Sequence, residues 1–224
     1  AHDGFSVCAL LLANDFARPD LAQEIQWVVR CAQLAKTLGC NTVRIDAIMR
    51  AQGWSEEQCL KVFADAMKQV IAATEDIGTQ FGIENHGARG NEPSFLKGII
   101  ASVGSPRLGV TLDTANFYWS GKPLSVVHEI IHELAPFAKH THVKNINYPA
   151  DMRETQRVVG YEYGKLCCAI PDGDIQIPTV IKHLKSVGYD HDLCIENESL
   201  GRYPEAERQA MLRREAQFLL QLLA

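Results

Sequence analysis

The chain has 224 residues, 46% hydrophobic and 22% charged, with 22 Lys and Arg against 27 Asp and Glu and a formal net charge of -5. That balance is ordinary for a globular protein and excludes a disordered chain, a collagen-like repeat and a disulfide-stapled miniprotein. The acidic pI, about 5.9, argues against a broad basic surface for nucleic acid, and no apolar run approaches the roughly 20 residues of a membrane span.

The length suits a single domain over residues 1–224 with a sizeable core. The start, Ala1-His2-Asp3-Gly4-Phe5, has no basic stretch and is not an intact signal peptide; it carries no initiator Met, so residues upstream are expected. The seven cysteines are odd in number and scattered, which reads as reduced thiols in the cytoplasm. Adjacent Cys167 and Cys168 lack the spacer of a zinc pair.

Short β-branched runs alternate with longer amphipathic ones. Phe5 to Leu12 reads as a strand, and Gln23 to Leu38 as a helix with Ile25, Val28, Val29, Ala32, Leu34, Ala35 and Leu38 at helical spacing. Asn41–Asp46 is the next strand. Ser55 is the N-cap of a long helix whose apolar face runs through Leu60, Phe63, Met67, Val70 and Ile71. Strand Thr79–Glu84, helix Ser94–Val103, strand Leu108–Asp113, helix Pro123–Phe137 and strand His140–Asn145 follow. After a long irregular stretch from Tyr148 to about Gly173 come helix Ile177–Gly188, strand Leu193–Glu196 and helix Glu205–Leu223.

A strand-then-helix unit repeated along the chain predicts a parallel sheet with crossover helices. An open dinucleotide-binding sheet needs Gly-x-Gly-x-x-Gly after its first strand, where this chain has Asn14-Asp15-Phe16-Ala17-Arg18-Pro19. The expected fold is therefore an α/β (β/α)8 TIM barrel. Six clear strands and a weaker seventh at Leu166–Ile170 imply that its first strand–helix unit is missing.

Glu84, Asp113, His142 and Glu196 stand at or near the C-terminal ends of four strands, spaced 29, 29 and 54 residues apart. One residue taken from the same end of each strand in a repeated unit gives such spacing, and in a barrel those side chains converge at the C-terminal mouth. Three carboxylates and an imidazole in one pocket need a cation to stay ionised together. Oxygen-rich ligands with a single nitrogen suit Mn2+, Mg2+ or Co2+, with Zn2+ also acceptable. A lone carboxylate after a strand is as often a helix cap or a solvated loop residue; the joint pattern, each member preceded by an apolar residue at a core edge, is what points to a site.

The runs Ile83-Glu84-Asn85-His86, Leu112-Asp113-Thr114-Ala115-Asn116, His142-Val143-Lys144-Asn145, Pro171-Asp172-Gly173-Asp174 and Ile195-Glu196, in that order, resemble the xylose isomerase-like TIM barrels. These are sugar isomerases and epimerases, together with the endonuclease IV type of phosphodiesterase. The resemblance runs from the first strand to the last helix. It implies metal ligation by Glu84, Asp113, His142 and Glu196, and acid and base roles for Glu84 and Glu196 on either face of a sugar carbon. Two departures stand out. Asn116 occupies a place where epimerases of the family often have His, and Asn145 ends a run that usually closes in Asp. The endonuclease branch uses more His ligands and three zinc ions, so the single ligand His and the acidic charge count against DNA repair.

Other residues carry two readings each. His86 is a substrate contact or a helix cap. Asn116 either supports a ligand or binds a substrate hydroxyl, and Lys144, on the same side of its strand as His142, holds a substrate oxygen or a buried ion pair. Arg153 and Arg157 lie in a connection long enough to be functional or lid-like, and bind an anion or are simply solvated. Trp119 walls a sugar pocket or fills core. His128 and His132, one helical turn apart, mimic a zinc pair but lack a third ligand nearby, which favours a surface or interface role. The expected function is a divalent-metal-dependent isomerase or epimerase of a small-molecule sugar or related polyol, with no nucleic-acid or membrane partner and a homo-oligomer left open. The alternatives are a metal-dependent lyase, such as an inositol or shikimate-type dehydratase, and a sugar- or metal-binding domain without turnover.

Overall fold

The computed structural model describes residues 4–50 and 53–223; Ala1–Asp3, on which part of the leader reading rests, lie outside them. By contact density the chain forms two compact units. One comprises the residues up to Leu112 with Phe137–His140, and the other comprises Asp113–Pro136 with Thr141 onward.

The first unit opens with β1 (Leu10–Leu11), α1 (Leu21–Thr37), β2 (Thr42–Asp46), α2 (Glu56–Ala73) and β3 (Gln80–Glu84). It continues with α3 (Gly87–Gly90), α4 (Pro93–Val103) and β4 (Leu108–Asp113), whose last residue belongs to the second unit. α1 starts at Asp20, whose side chain accepts from Gln23 N. α2 starts with a reciprocal capping box between Ser55 and Gln58. β1 to β4 are neighbours in chain order and parallel, with Val43 beside Phe81 and Glu84 beside Asp46 and Thr111. α1 packs on α2 and α2 on α4. Phe16, Phe63 and Phe95 meet edge to face at 5.0 and 6.4 Å, and the strand residues Ile45, Phe81, Ile83 and Val110 are wholly buried.

The first predicted strand is corrected here. Only Leu10–Leu11 pairs with β2, while Phe5 and Val7 are exposed (79% and 42%). Their apolar character without a pairing partner does not make a strand.

The second unit holds α5 (Asn116–Trp119) and α6 (Leu124–Leu134), then the last half of β5 (Ala138–Val143), β6 (Asn145–Ile146), α7 (Tyr163–Leu166) and β7 (Cys167–Cys168). α8 (Ile177–Ser186), β8 (Cys194–Ile195) and α9 (Glu205–Leu223) complete it. In the first unit the opening half of β5 is the sheet neighbour of β4. In the second, β5 pairs in parallel with β8, His142 beside Cys194 and Val143 beside Ile195. α6 and α8 pack together through apolar faces that include Val127, Ile131, Val180 and Leu184.

The expected seventh strand is also corrected. Of Leu166–Ile170 only Cys167–Cys168 is extended and paired, antiparallel to β6 in a separate two-stranded ladder. It is a clasp on the long connection, not a further strand of the parallel sheet.

That connection is tied down at two points. Asp174 accepts from Tyr118 Oη (2.9 Å) and Tyr148 N (2.8 Å) and pairs with Arg153 Nε (2.9 Å). Arg157, expected to be solvated or anion-binding, is buried instead. Its guanidinium lies against both rings of the edge-to-face pair Tyr118 and Tyr148 (4.5 and 4.3 Å to the centroids) and donates to the carbonyls of Thr155 and Lys122. All seven cysteines are free, and among the described residues no helix is long and apolar enough to cross a membrane.

A side chain at Gly109 in β4 would overlap the Phe137 carbonyl and the Lys139 side chain. G109A is expected to lower stability by about 1–3 kcal/mol through overpacking, measured as a shift of the urea midpoint at unchanged slope.

Candidate functional site

In the second unit, Asp113 ends β4 fully buried, with Oδ1 accepting from Ala115 N and Asn116 N at 2.8 Å each. The turn after the strand thereby fixes the carboxylate and leaves Oδ2 to face Lys144 Nζ at 3.0 Å. Asn116 contributes through this backbone bond and is itself buried.

His142 and Lys144 point to the same side because side chains alternate along an extended strand. Thr114 holds them in place. Its N donates to His142 O (2.9 Å), its hydroxyl donates to Lys144 O (2.7 Å) and accepts from Lys144 N (3.0 Å). Glu196 arrives by the β5–β8 register, with its N donating to Val143 O at 3.1 Å. Its Oε2 lies 2.8 Å from Lys144 Nζ and 3.5 Å from His142 Nδ1, and Asp113 Oδ2 is 4.0 Å from that Nδ1. Glu198 closes the group with Oε1 at 2.7 Å from Lys144 Nζ.

Of the two readings of Lys144, the structure shows the buried ion pair. Burial alone would lower its pKa, but Asp113 and Glu196 override that and hold the ammonium above its ordinary range. Tyr163, on α7, hydrogen-bonds Glu198, and burial pushes its phenol upward.

In the first unit Glu84 is buried at the end of β3, ion-paired with Arg44. Arg44 Nη1 also reaches Asp46 Oδ1 (2.7 Å) and donates to Leu12 O (3.0 Å). Asn14 clamps the Asp46 backbone, accepting from its N at 2.8 Å. His86 stands at the N-cap position of α3 but makes no side-chain cap bond. It faces Asp46 instead, Nδ1 to Oδ1 4.0 Å. The Asp46 carboxylate raises the His86 pKa, burial opposes the rise, and Glu84 adds to it.

The remaining candidates lie on the long connection or beside it. Trp119 is half-buried against Gly160, its carbonyl accepting from Gly160 N at 2.9 Å. Arg153 is engaged with Asp174 and with Tyr148 O (3.1 Å). His128 and His132 lie on α6, where His132 stacks on His183 of α8 at 4.4 Å.

The departure at Asn145 has a structural reason. Its Nδ2 donates to the carbonyls of Ile170 (2.9 Å) and Ile175 (3.0 Å), and its Oδ1 accepts from Ile146 N and Ile175 N. A carboxylate could not make the two donations.

The donor chemistry of Asp113, His142 and Glu196 fits a divalent cation. Ligand atoms about 2.0–2.2 Å from one ion lie roughly 3–3.5 Å apart; His142 Nδ1 lies 3.5 Å from Glu196 Oε2 and 4.0 Å from Asp113 Oδ2, and a positive charge already sits against both carboxylates. Sequence reading missed Arg44, Asp46, Thr114 and Glu198. Arg44 and Asp46 alternate onto one face of a buried strand, and that pattern was the available signal.

A model of the xylose isomerase-like TIM barrel family matches residues 1–222, and the chain belongs to that family. It is 28% identical over 138 residues to an uncharacterised protein of Methanocaldococcus jannaschii, a match covering 60% of this chain and 42% of that protein. The chain therefore spans less than half the length of that relative. Among solved structures it is similar to the IolI protein with a bound zinc atom (TM-score 0.75, 15% identity, 97% of this chain and 76% of that one). It is also similar to L-ribulose 3-epimerase (TM-score 0.73, 15% identity, 98% and 75%). At these identities the likeness is one of fold.

Two outcomes test the charge assignments. K144M leaves Asp113 and Glu196 facing each other without their cation. It is expected to cost about 3 kcal/mol near pH 7 in metal-free buffer, read from denaturant unfolding. Because the folded pKa of Lys144 is raised, its contribution is full below the ordinary 10.5 and fades only as pH climbs through the folded value. His86 should titrate above the ordinary 6.5 in NMR, and D46N should bring it down. Its stabilisation is complete below 6.5 and is lost as pH rises through the raised value.

Proposed function

We propose that this chain is a divalent-metal-dependent isomerase or epimerase of a small sugar or related polyol. The observation that carries the reading is the gathering of Asp113, His142 and Glu196 around one buried positive charge, the Lys144 ammonium. Glu84 is the proposed fourth ligand. Mn2+ or Mg2+ suits the oxygen-rich set best, and the zinc bound in the similar IolI structure keeps Zn2+ open.

When bound, the ion would supply positive charge opposite the substrate's carbonyl oxygen as negative charge develops there. The chain's own carboxylates move the proton. One of Glu84 and Glu196 takes the hydrogen α to the carbonyl, and the other returns a proton to the neighbouring carbon or the opposite face. Glu196 is the more accessible, with its side chain 34% exposed, while Glu84 is enclosed and aimed by Arg44. Asp113 and His142, almost wholly buried, hold position and charge. Lys144 can retain Glu198 as its partner while a substrate oxygen or the ion engages Glu196. His86, Asn116, Trp119 and Arg153 remain the proposed substrate contacts. The free thiols fit a reducing, cytoplasmic setting.

The test is incubation with Mn2+ and a panel of ketoses and aldoses in D2O, followed by NMR. Deuterium should enter at the carbon α to the carbonyl as the sugars interconvert. E84Q and E196Q should each lower the rate by about 10²–10⁴-fold, well beyond a loss of Mn2+ affinity of about 10-fold. Full activity in either variant would remove that glutamate from the proton transfer. A conjugated enone absorbance without exchange would mark a lyase, and binding without change a domain that does not turn over substrate.

A further inference from the structure

Helix α9 is largely exposed, and Glu215 and Leu219 are its buried residues. Glu215 is wholly enclosed, at 0% exposure. A carboxyl group at the deepest point of a solvent-facing helix is costly to bury and calls for specific partners. Glu215 Oε1 accepts from Ile170 N at 2.8 Å. Its Oε2 and the Asn197 Nδ2 are both sealed from water and neither makes a hydrogen bond of full geometry; burial raises the carboxyl's pKa, and the nearby Asn197 side chain opposes the rise.

Asn197 stands between Glu196 and Glu198. Its Oδ1 accepts from Ser199 N (2.8 Å) and Ser199 Oγ (2.6 Å), which closes the turn. The two flanking glutamates both reach Lys144 Nζ, at 2.8 and 2.7 Å. We propose that Glu215 is a positioning residue: through Asn197 it holds the 196–198 turn so that the Glu196 carboxylate is aimed at the His142–Lys144 cluster. A consequence for metal binding rests on the proposed ligand role of Glu196; the positioning itself does not.

The hydrogen-bond polarity makes a sharp test. Asn197 cannot turn its amide over, because Ser199 holds Oδ1, so it must present N–H to Glu215. E215Q keeps the shape and an oxygen for Ile170 N, yet sets amide hydrogens against amide hydrogens. N197D alone sets carboxylate against carboxylate. The double variant E215Q/N197D restores one donor and one acceptor. Each single variant is expected to raise hydrogen exchange at Ser199 N–H and to weaken Mn2+ binding by about 10-fold, read by titration calorimetry, while the double variant returns both toward the parent values.

N197D alters only the half-buried partner on the turn and serves if E215Q does not fold. Unchanged Ser199 exchange in the single variants, or no recovery in the double, would overturn the positioning role. A parent protein that binds no Mn2+ would fail the metal reading instead, and the exchange pattern would then decide the role of Glu215 alone.

Discussion

An ammonium group enclosed among carboxylates sets the terms for the second unit. Lys144 is nearly sealed, and its charge is tolerable there only because Asp113, Glu196 and Glu198 surround it. Those carboxylates in turn tolerate one another only because of it. Such a group is strongly context-dependent, since removing Lys144 strands the buried Asp113 carboxylate and removing the carboxylates strands the buried ammonium. The first unit meets the same difficulty with a different cation. There the Arg44 fork spans Glu84 and Asp46 and ties into the backbone at Leu12. Both units thus concentrate acidic groups near strand ends and supply a fixed positive charge to hold them.

Much of the scaffold was legible in the sequence because it rests on local rules. β4 and α9 lie where the alternation and the helical spacing put them, and Ser55 caps α2 as its Ser-x-x-Gln pattern required. The spacing of Glu84, Asp113, His142 and Glu196 found strand ends because a repeated unit is a local signal summed along the chain. The failures came where long-range pairing decides. Phe5 to Leu12 is apolar enough for a strand but pairs only at Leu10–Leu11, and Leu166–Ile170 found an antiparallel partner in β6. The neighbours of the candidate ligands were equally hidden. Thr114 acts through bonds to Lys144, 30 residues on, and Glu215 through one to Ile170, 45 residues back. No spacing rule records such contacts.

The long connection shows how a segment without regular structure becomes ordered. Its backbone has few ladder bonds, so side chains do the work. Arg157 gathers backbone carbonyls while lying against two tyrosine rings, and Asp174 collects a phenol, an amide and a guanidinium. Within it Glu162 is the one non-glycine residue with positive φ (43°) among those described, immediately before Tyr163, which partners Glu198. Strain of this kind persists only where the surroundings over-determine the backbone.

The amide at position 145 carries a consequence beyond its own strand. It is committed in four directions at once, two as donor and two as acceptor, to segments 25 and 30 residues away as well as to its own neighbour. Aspartate at this position would set a negative oxygen against the carbonyls of Ile170 and Ile175. The loop and the strand must change together. The identity of the residue after Lys144 and the backbone path of residues 170–175 are therefore coupled in this chain.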